Sequence, residues 1–227
     1  MIPPPVMPDA VQGVDAVFCT HSHSDHLDGG TLPLIASANP SCRFFVPRAI
    51  LETARERGIP QDRIVTMNAG ESTFAASGLR VSAIPSAHER LTVNERGEHL
   101  FLGYELKFDD FTLYHSGDCI PYEGLAGTLS SIKPDLVLLP VNGRDEKRTA
   151  KGILGNFTLS EAVDLAEASG ADFFIGHHFG MFDFNTIDPA AGKSFLEERI
   201  RAGGTELYLA ELSTRYEFSY EESETLP

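Results

Sequence analysis

Cysteine is scarce in this chain of 227 residues, with only Cys19, Cys42 and Cys119 present. Three thiols so far apart build no disulfide framework and fit a reducing compartment, so a cytoplasmic location is expected. Basic residues are also few. Eighteen Lys and Arg against 33 Asp and Glu leave a formal charge of −15, which repels phosphate backbones and argues against a nucleic-acid partner. No apolar run approaches the ~20 residues of a bilayer span, so no membrane partner is expected. The opening Met1-Ile2-Pro3-Pro4-Pro5-Val6-Met7-Pro8 has neither the basic nor the apolar segment of a secretory signal. Its prolines predict an extended lead-in over 1–12, and the acidic stretch 221–227 is expected to be loose. Repeats, heptads and low-complexity tracts are lacking too. Hydrophobic residues at 42% and charged residues at 22% are ordinary for a globular protein, and 1–227 reads as a single domain with a substantial core.

What is present is histidine in an unusual concentration. Of eight His in the chain, three fall within His21-Ser22-His23-Ser24-Asp25-His26. The preceding Val14-Asp15-Ala16-Val17-Phe18-Cys19 reads as a short buried strand. A strand opening into such a loop presents neutral imidazoles and a carboxylate, the ligand types of zinc and its first-row neighbours. A polar turn that merely happens to be rich in His is a poor account of that density.

Further along, helices are expected over Thr31–Ala38 and, with Pro47 helping to start it, Arg48–Arg57 with Gly58 as the stop. Strands are expected at Arg43–Val46, Arg63–Met67, Ser72–Ala75, Leu79–Ile84 and Asp135–Leu139. Phe101–Phe108 and Phe111–Tyr114 predict a hairpin across Asp109-Asp110. Thr158 and Glu161 form a capping box for a helix to Ala168 that Gly170 ends. Phe173–Ile175 and Glu206–Leu209 are strands flanking a helix over Pro189–Ala202. Strands in the middle and βα alternation at the ends call for an α/β or α+β layered fold.

Each further candidate ligand follows one of these strands: His88 after Leu79–Ile84, Asp118 after Phe111–Tyr114, His178 after Phe173–Ile175. Open α/β sheets place their sites at strand C-termini. Here the chain resembles the metallo-β-lactamase superfamily: His21-Ser22-His23-Ser24-Asp25-His26 matches its HxHxDH motif and Ser116-Gly117-Asp118 its later Gly-Asp motif. The resemblance implies an αββα sandwich and two divalent metal ions, manganese or zinc. It assigns His21, His23 and His88 to one ion, Asp25, His26 and His178 to the other, and Asp118 as the bridge. His177 is the rival to His178. Two ions roughly 3.5–4 Å apart lower the pKa of a shared water toward ~7. Asp25 is expected to orient that nucleophile or move its proton. His99 and His115 are expected in strands or behind the ligands, and Cys19 and Cys119 as small buried residues.

The superfamily resemblance also implies that strands normally ahead of the metal loop are missing, because that loop already begins at residue 20. An uncovered sheet edge invites pairing with another chain, so a homo-oligomer is expected. Pro140–Asp145, Gly155–Thr158, Met181–Pro189 and His115–Asp118 followed by Ile120-Pro121-Tyr122 resemble the L-ascorbate-6-phosphate lactonase branch. That branch implies lactone hydrolysis on a small anionic metabolite. Arg144 is then a planar fork for a phosphate or carboxylate, and Asn142, Asn156 and Asn185 are donors to hydroxyls or the lactone oxygen. The bland alternatives are Arg144 paired with Asp145 or Glu146, and Asn156 capping a turn. Lys147, Arg148 and Lys151 form a basic island, either an anion site or a solvated face. Two other functions compete: hydrolysis of small phosphodiesters or cyclic nucleotides, and a non-catalytic shortened paralogue serving as an interaction module.

Overall fold

The computed structural model describes residues 4–200 and 204–218, so the expected acidic tail lies outside the described residues. Strand β1 (Ala16–Phe18) leads through the His-rich loop to α1 (Leu32–Ala38), then β2 (Arg43–Pro47), α2 (Leu51–Glu56) and β3 (Ile64–Met67). There follow β4 (Ser72–Ala76), β5 (Leu79–Pro85), β6 (Leu102–Phe108) and β7 (Phe111–His115). Next come α3 (Leu125–Ile132), β8 (Leu136–Pro140), α4 (Glu146–Thr149), α5 (Leu159–Ser169), β9 (Phe173–His177), α6 (Pro189–Ile200) and β10 (Glu206–Leu209).

These strands make two sheets. One is parallel, in the order β1-β2-β3; the other runs β10-β9-β8-β7-β6-β5-β4, parallel from β10 to β7 and antiparallel from β7 to β4. Three apolar clusters divide the molecule into four layers. Side chains alternate across a strand, so β2 sends Phe44 and Val46 toward α1 and α2 and Phe45 toward the other sheet. Phe45 and Met67 meet Val81, Ala83, Leu102 and Tyr104 between the sheets. The far side of the large sheet packs Tyr114, Val137, Leu139 and Phe174 against Leu125, Leu129, Val163, Ala166 and Leu196 of the helices. Helices, sheet, sheet, helices is the expected αββα sandwich.

Differences are local. The helix expected over 48–57 is split. Pro47 closes β2, Arg48–Ile50 is one 3₁₀ turn, and only Leu51–Glu56 is α-helical. Thr158 and Glu161 do form the capping box, and Gly170 ends α5 with φ +75°. Helices α3 and α4 were not expected. The first carries Gly127 and a Ser-Ser pair, poor helix formers, and is held by Leu125 and Leu129, fully buried one turn apart.

Candidate metal centre

Every candidate ligand sits on a loop that leaves the end of a strand, and hydrogen bonds tie those loops to one another. The Cys19 carbonyl accepts from the Tyr104 hydroxyl at 2.9 Å and the Thr20 carbonyl from the Leu102 amide at 2.9 Å, so the His-rich loop is moored to the opposite sheet as it starts. It then turns helically, His26 N and Leu27 N both donating to His23 O. Arg57 donates to His23 O at 3.2 Å and Leu27 O at 2.7 Å. The Ser86 hydroxyl donates to Asp118 O at 2.9 Å and Ile120 N to Ala87 O at 2.8 Å, which joins the loops after β5 and β7. Gly117 adopts φ +64° against Thr20, and His178 itself adopts φ +63°. A non-glycine residue is rarely held there without surrounding constraint.

The result is two groups of converging ligand atoms: His21, His23, His88 and Asp118; and Asp25, His26 and His178. Asp118 faces both. Its Oδ2 lies 3.5 Å from His88 Nε2 and 3.9 Å from His21 Nε2. Its Oδ1 lies 3.2 Å from His178 Nε2 and 3.3 Å from His26 Nε2. Asp25 Oδ2 is 3.6 Å from His26 and 3.7 Å from His178. His178 therefore joins the group, whereas His177 stacks behind it on His115, ring centres 4.8 Å apart.

Electrostatics favour cation binding. Burial lowers the pKa of His21, His26 and His88, keeping these imidazoles neutral with lone pairs available. The His178 imidazole, 3.7 Å away, holds the Asp25 carboxyl well below the usual range. Burial acts to lower His178, but the neighbouring carboxylates of Asp25 and Asp118 outweigh that and raise it. His21 Nε2, His88 Nδ1 and Asp118 Oδ1 are buried without a hydrogen-bond partner. Each such atom costs roughly 1–3 kcal/mol if left unsatisfied, and His21 Nε2 and Asp118 Oδ1, which face the two ligand groups, call for partners there. The ring nitrogens of His26 and His178 approach to 3.1 Å, a spacing that requires a proton or a cation between them. Donor set, neutrality and orphaned atoms all fit divalent metal. Thr20 Oγ1 contacts His21 Nδ1 at 3.0 Å and leaves Nε2 pointing inward, the support that ligand imidazoles typically receive.

The residues expected to hold substrate are placed differently from one another. Arg144 is closed bidentately on Glu161, both contacts 2.6 Å, and donates to Asn156 O; its partner is neither Asp145, which takes Arg148, nor Glu146. Asn142 and Asn156 are fully buried. They form a relay in which Asn156 Nδ2 donates to Asn142 Oδ1 and Asn142 Nδ2 to Asn185 Oδ1. Arg148 also donates to Asn185 Oδ1, at 3.1 Å. Asn185 alone of the four lines the cavity beside Asp25, His26 and His178. Its Oδ1 takes two donors, which leaves its Nδ2 to face an occupant. Sequence reasoning missed Phe179, Met181, Phe182 and Leu212 in the same wall; only the apolar character of Phe179–Phe182, next to a ligand, could have signalled them. Cys119 is buried in the core and turned onto Ile120 O, and His99 is taken up by Asn68.

Fold and site together define a metal-dependent hydrolase of the metallo-β-lactamase superfamily. The chain belongs to the family described as Beta-lactamase superfamily domain, whose pattern matches residues 1–179. It is similar to a UPF0173 metal-dependent hydrolase of Chloroflexus aurantiacus, 31% identical over 79% of this chain and 70% of that protein. A UPF0173 metal-dependent hydrolase of Aeropyrum pernix is 27% identical over 95% of this chain and 86% of its own length. Among solved structures, an isothiocyanate hydrolase from Delia radicum gut bacteria superposes with a TM-score of 0.70 at 18% identity, covering 95% of this chain and 80% of that one. No described helix is long and apolar enough to cross a membrane.

Proposed function

We propose that the chain is a two-metal hydrolase that opens a carboxyl ester or lactone. The observation that carries this reading is Asp118, whose two oxygens face two separate ligand groups. Divalent ions held there supply a water of lowered pKa and positive charge against a developing oxyanion. The protein residues divide the remaining work. His21, His23 and His88 would hold one position and Asp25, His26 and His178 the other, with Asp118 shared between them. Asp25 is the most exposed carboxylate of the site, 41% at its side chain, and is kept ionised by His178. It can therefore orient the attacking water from the cavity side. Asn185 Nδ2, fixed by the relay behind it, donates to the carbonyl or leaving oxygen of a bound ester. The relay argues for a hydroxyl or carbonyl partner here, since a charged one would face Nδ2 alone.

The test is metal content of the purified protein followed by parallel assays on a lactone, a p-nitrophenyl ester and bis-p-nitrophenyl phosphate. Near two equivalents of metal with ester or lactone turnover supports the reading. Turnover of the phosphodiester alone would replace it with phosphodiesterase action, and a metal-free chain would leave only a binding module.

A further inference from the structure

The cavity beside Asp25, His26 and His178 has a volume of about 560 Å³, within the range of pockets that enclose a small organic ligand. Its chemistry is one-sided. Apart from the candidate ligands, His177 and the small Gly180 and Ala210, the wall is Phe179, Met181, Phe182 and Leu212, with Asn185 and Glu211 as the polar members that carry hydrogen-bonding side chains. Met181 is 49% and Leu212 62% exposed, large apolar side chains left at the rim. Among the described residues no Lys or Arg lines it. The cations that touch its lining residues are spoken for: Lys193 is paired with Glu211 Oε1 at 2.5 Å, and Arg148 with Asp145 Oδ2 at 2.6 Å, Asn142 O and Asn185 Oδ1. Arg144 is closed on Glu161. A phosphate or carboxylate seated along this wall, away from the ligand groups, would leave water and meet Glu211 and no free Lys or Arg, which is costly. An alkyl or aryl group would instead cover exposed Met, Phe and Leu surface.

We propose that this cavity receives an uncharged apolar arm of the substrate, an acyl, alkyl or aryl group attached to the scissile ester or lactone. The substrate class shifts from a small anionic metabolite to a neutral, amphipathic ester. The assignment rests on the hydrolase reading for the bond that breaks, while the cavity's preference can be measured by itself. Asn185 brings the one amide side chain of the lining and the ligand groups its other polar end, with the four apolar side chains along the rest, an arrangement that suits a carbonyl turned to the ligand groups and an arm turned away.

The experiment is calorimetric binding of two length-matched amides to the full chain as purified, octanamide and suberamate, the latter carrying a terminal carboxylate. Both carry the same amide carbonyl, and the Met181→Lys variant, altered in the wall and not at the ligand groups, distinguishes a carboxylate seated along the wall from one drawn to the centre. Octanamide should bind at least about tenfold more tightly. Met181→Lys, at an exposed rim position, should weaken octanamide and strengthen suberamate, whereas Phe74→Lys on remote β4 should change neither. Equal or tighter binding of suberamate to the unaltered protein, or no octanamide binding up to its solubility limit, overturns the proposal. Octanamide binding without turnover of p-nitrophenyl octanoate would leave the cavity assignment standing and sink the hydrolase reading instead.

Discussion

A Cβ placed on Gly117 would lie 2.7 Å from the Cβ of Thr20. The backbone that delivers Asp118 thus presses directly on the side chain of Thr20, the residue before His21, and at φ +64° only glycine makes the approach without strain. Gly117→Ala should cost roughly 1–2 kcal/mol from the left-handed conformation alone, and more from the displaced Thr20. Thermal unfolding should register the loss, and metal content should fall with it. An alanine variant with unchanged Tm and full metal would mean the two loops are not coupled.

Asp118 serves both ligand groups through different oxygens. Asp118→Asn replaces one acceptor by an NH₂ that repels a cation, so we expect at least one equivalent of metal to be lost and activity to drop by at least about 10²-fold. His23→Ala should empty the first group while leaving His26 and His178 in place. Metal analysis beside turnover reads both variants, and full turnover by either would refute the ligand assignment.

Burial pushes the pKa of His115 down to about 4. Its Nδ1 accepts from Gly117 N at 2.9 Å, which requires the neutral ring. The unfolded chain binds a proton there near pH 6.5 while the folded chain does not until about pH 4. Stability from this group is therefore complete above pH 6.5 and lost as pH falls toward 4, a change of up to about 3 kcal/mol. Urea midpoints at pH 7.5, 5.5 and 4.5 should decline in that order. His115→Asn, which retains an acceptor but does not titrate, should flatten the decline; an identical slope in the variant would assign the acid sensitivity elsewhere.

Arg144 and Glu161 act in the scaffold. Glu161 also accepts from Thr158 N at 2.9 Å within the capping box, so Arg144 steadies the start of α5 and the carbonyl of Asn156. Arg144→Ala should lower stability by about 1–2 kcal/mol, a bidentate, half-buried pair contributing more than an open surface one. KM for a neutral ester should stay within a factor of about two. A large rise in KM with unchanged Tm would return Arg144 to the substrate.

Much of this was legible along the chain. The ligand loop, the strands that precede His88, Asp118 and His178, and the capped α5 follow from apolar runs and local chemistry that act within a few residues. Partnerships across distance were not. Arg144 finds Glu161 seventeen residues on, and Arg148 reaches Asn185 over thirty-seven. For Arg144 the adjacent Asp145 was the obvious sequence partner, and the fold gave that acid to Arg148 instead. The cavity wall was hidden for the same reason, since Met181 and Leu212 come from loops after different strands. Helix α3 escaped because its residues disfavour a helix and only core contact imposes one. The split near Pro47 reflects a residue able to end a strand as readily as begin a helix.

His21, His23, Asp25 and His26 hang from the three-stranded sheet, while His88, Asp118 and His178 hang from the seven-stranded one. Each ligand group draws from both. An ion in either position is consequently a rivet between the two halves of the sandwich, and its removal would loosen them along the seam rather than merely silence the chemistry. Amide protons of β1 and β5, the strands that lead into the ligand loops, should then exchange faster in chelated protein, making the metal supply a control on rigidity as well as on rate.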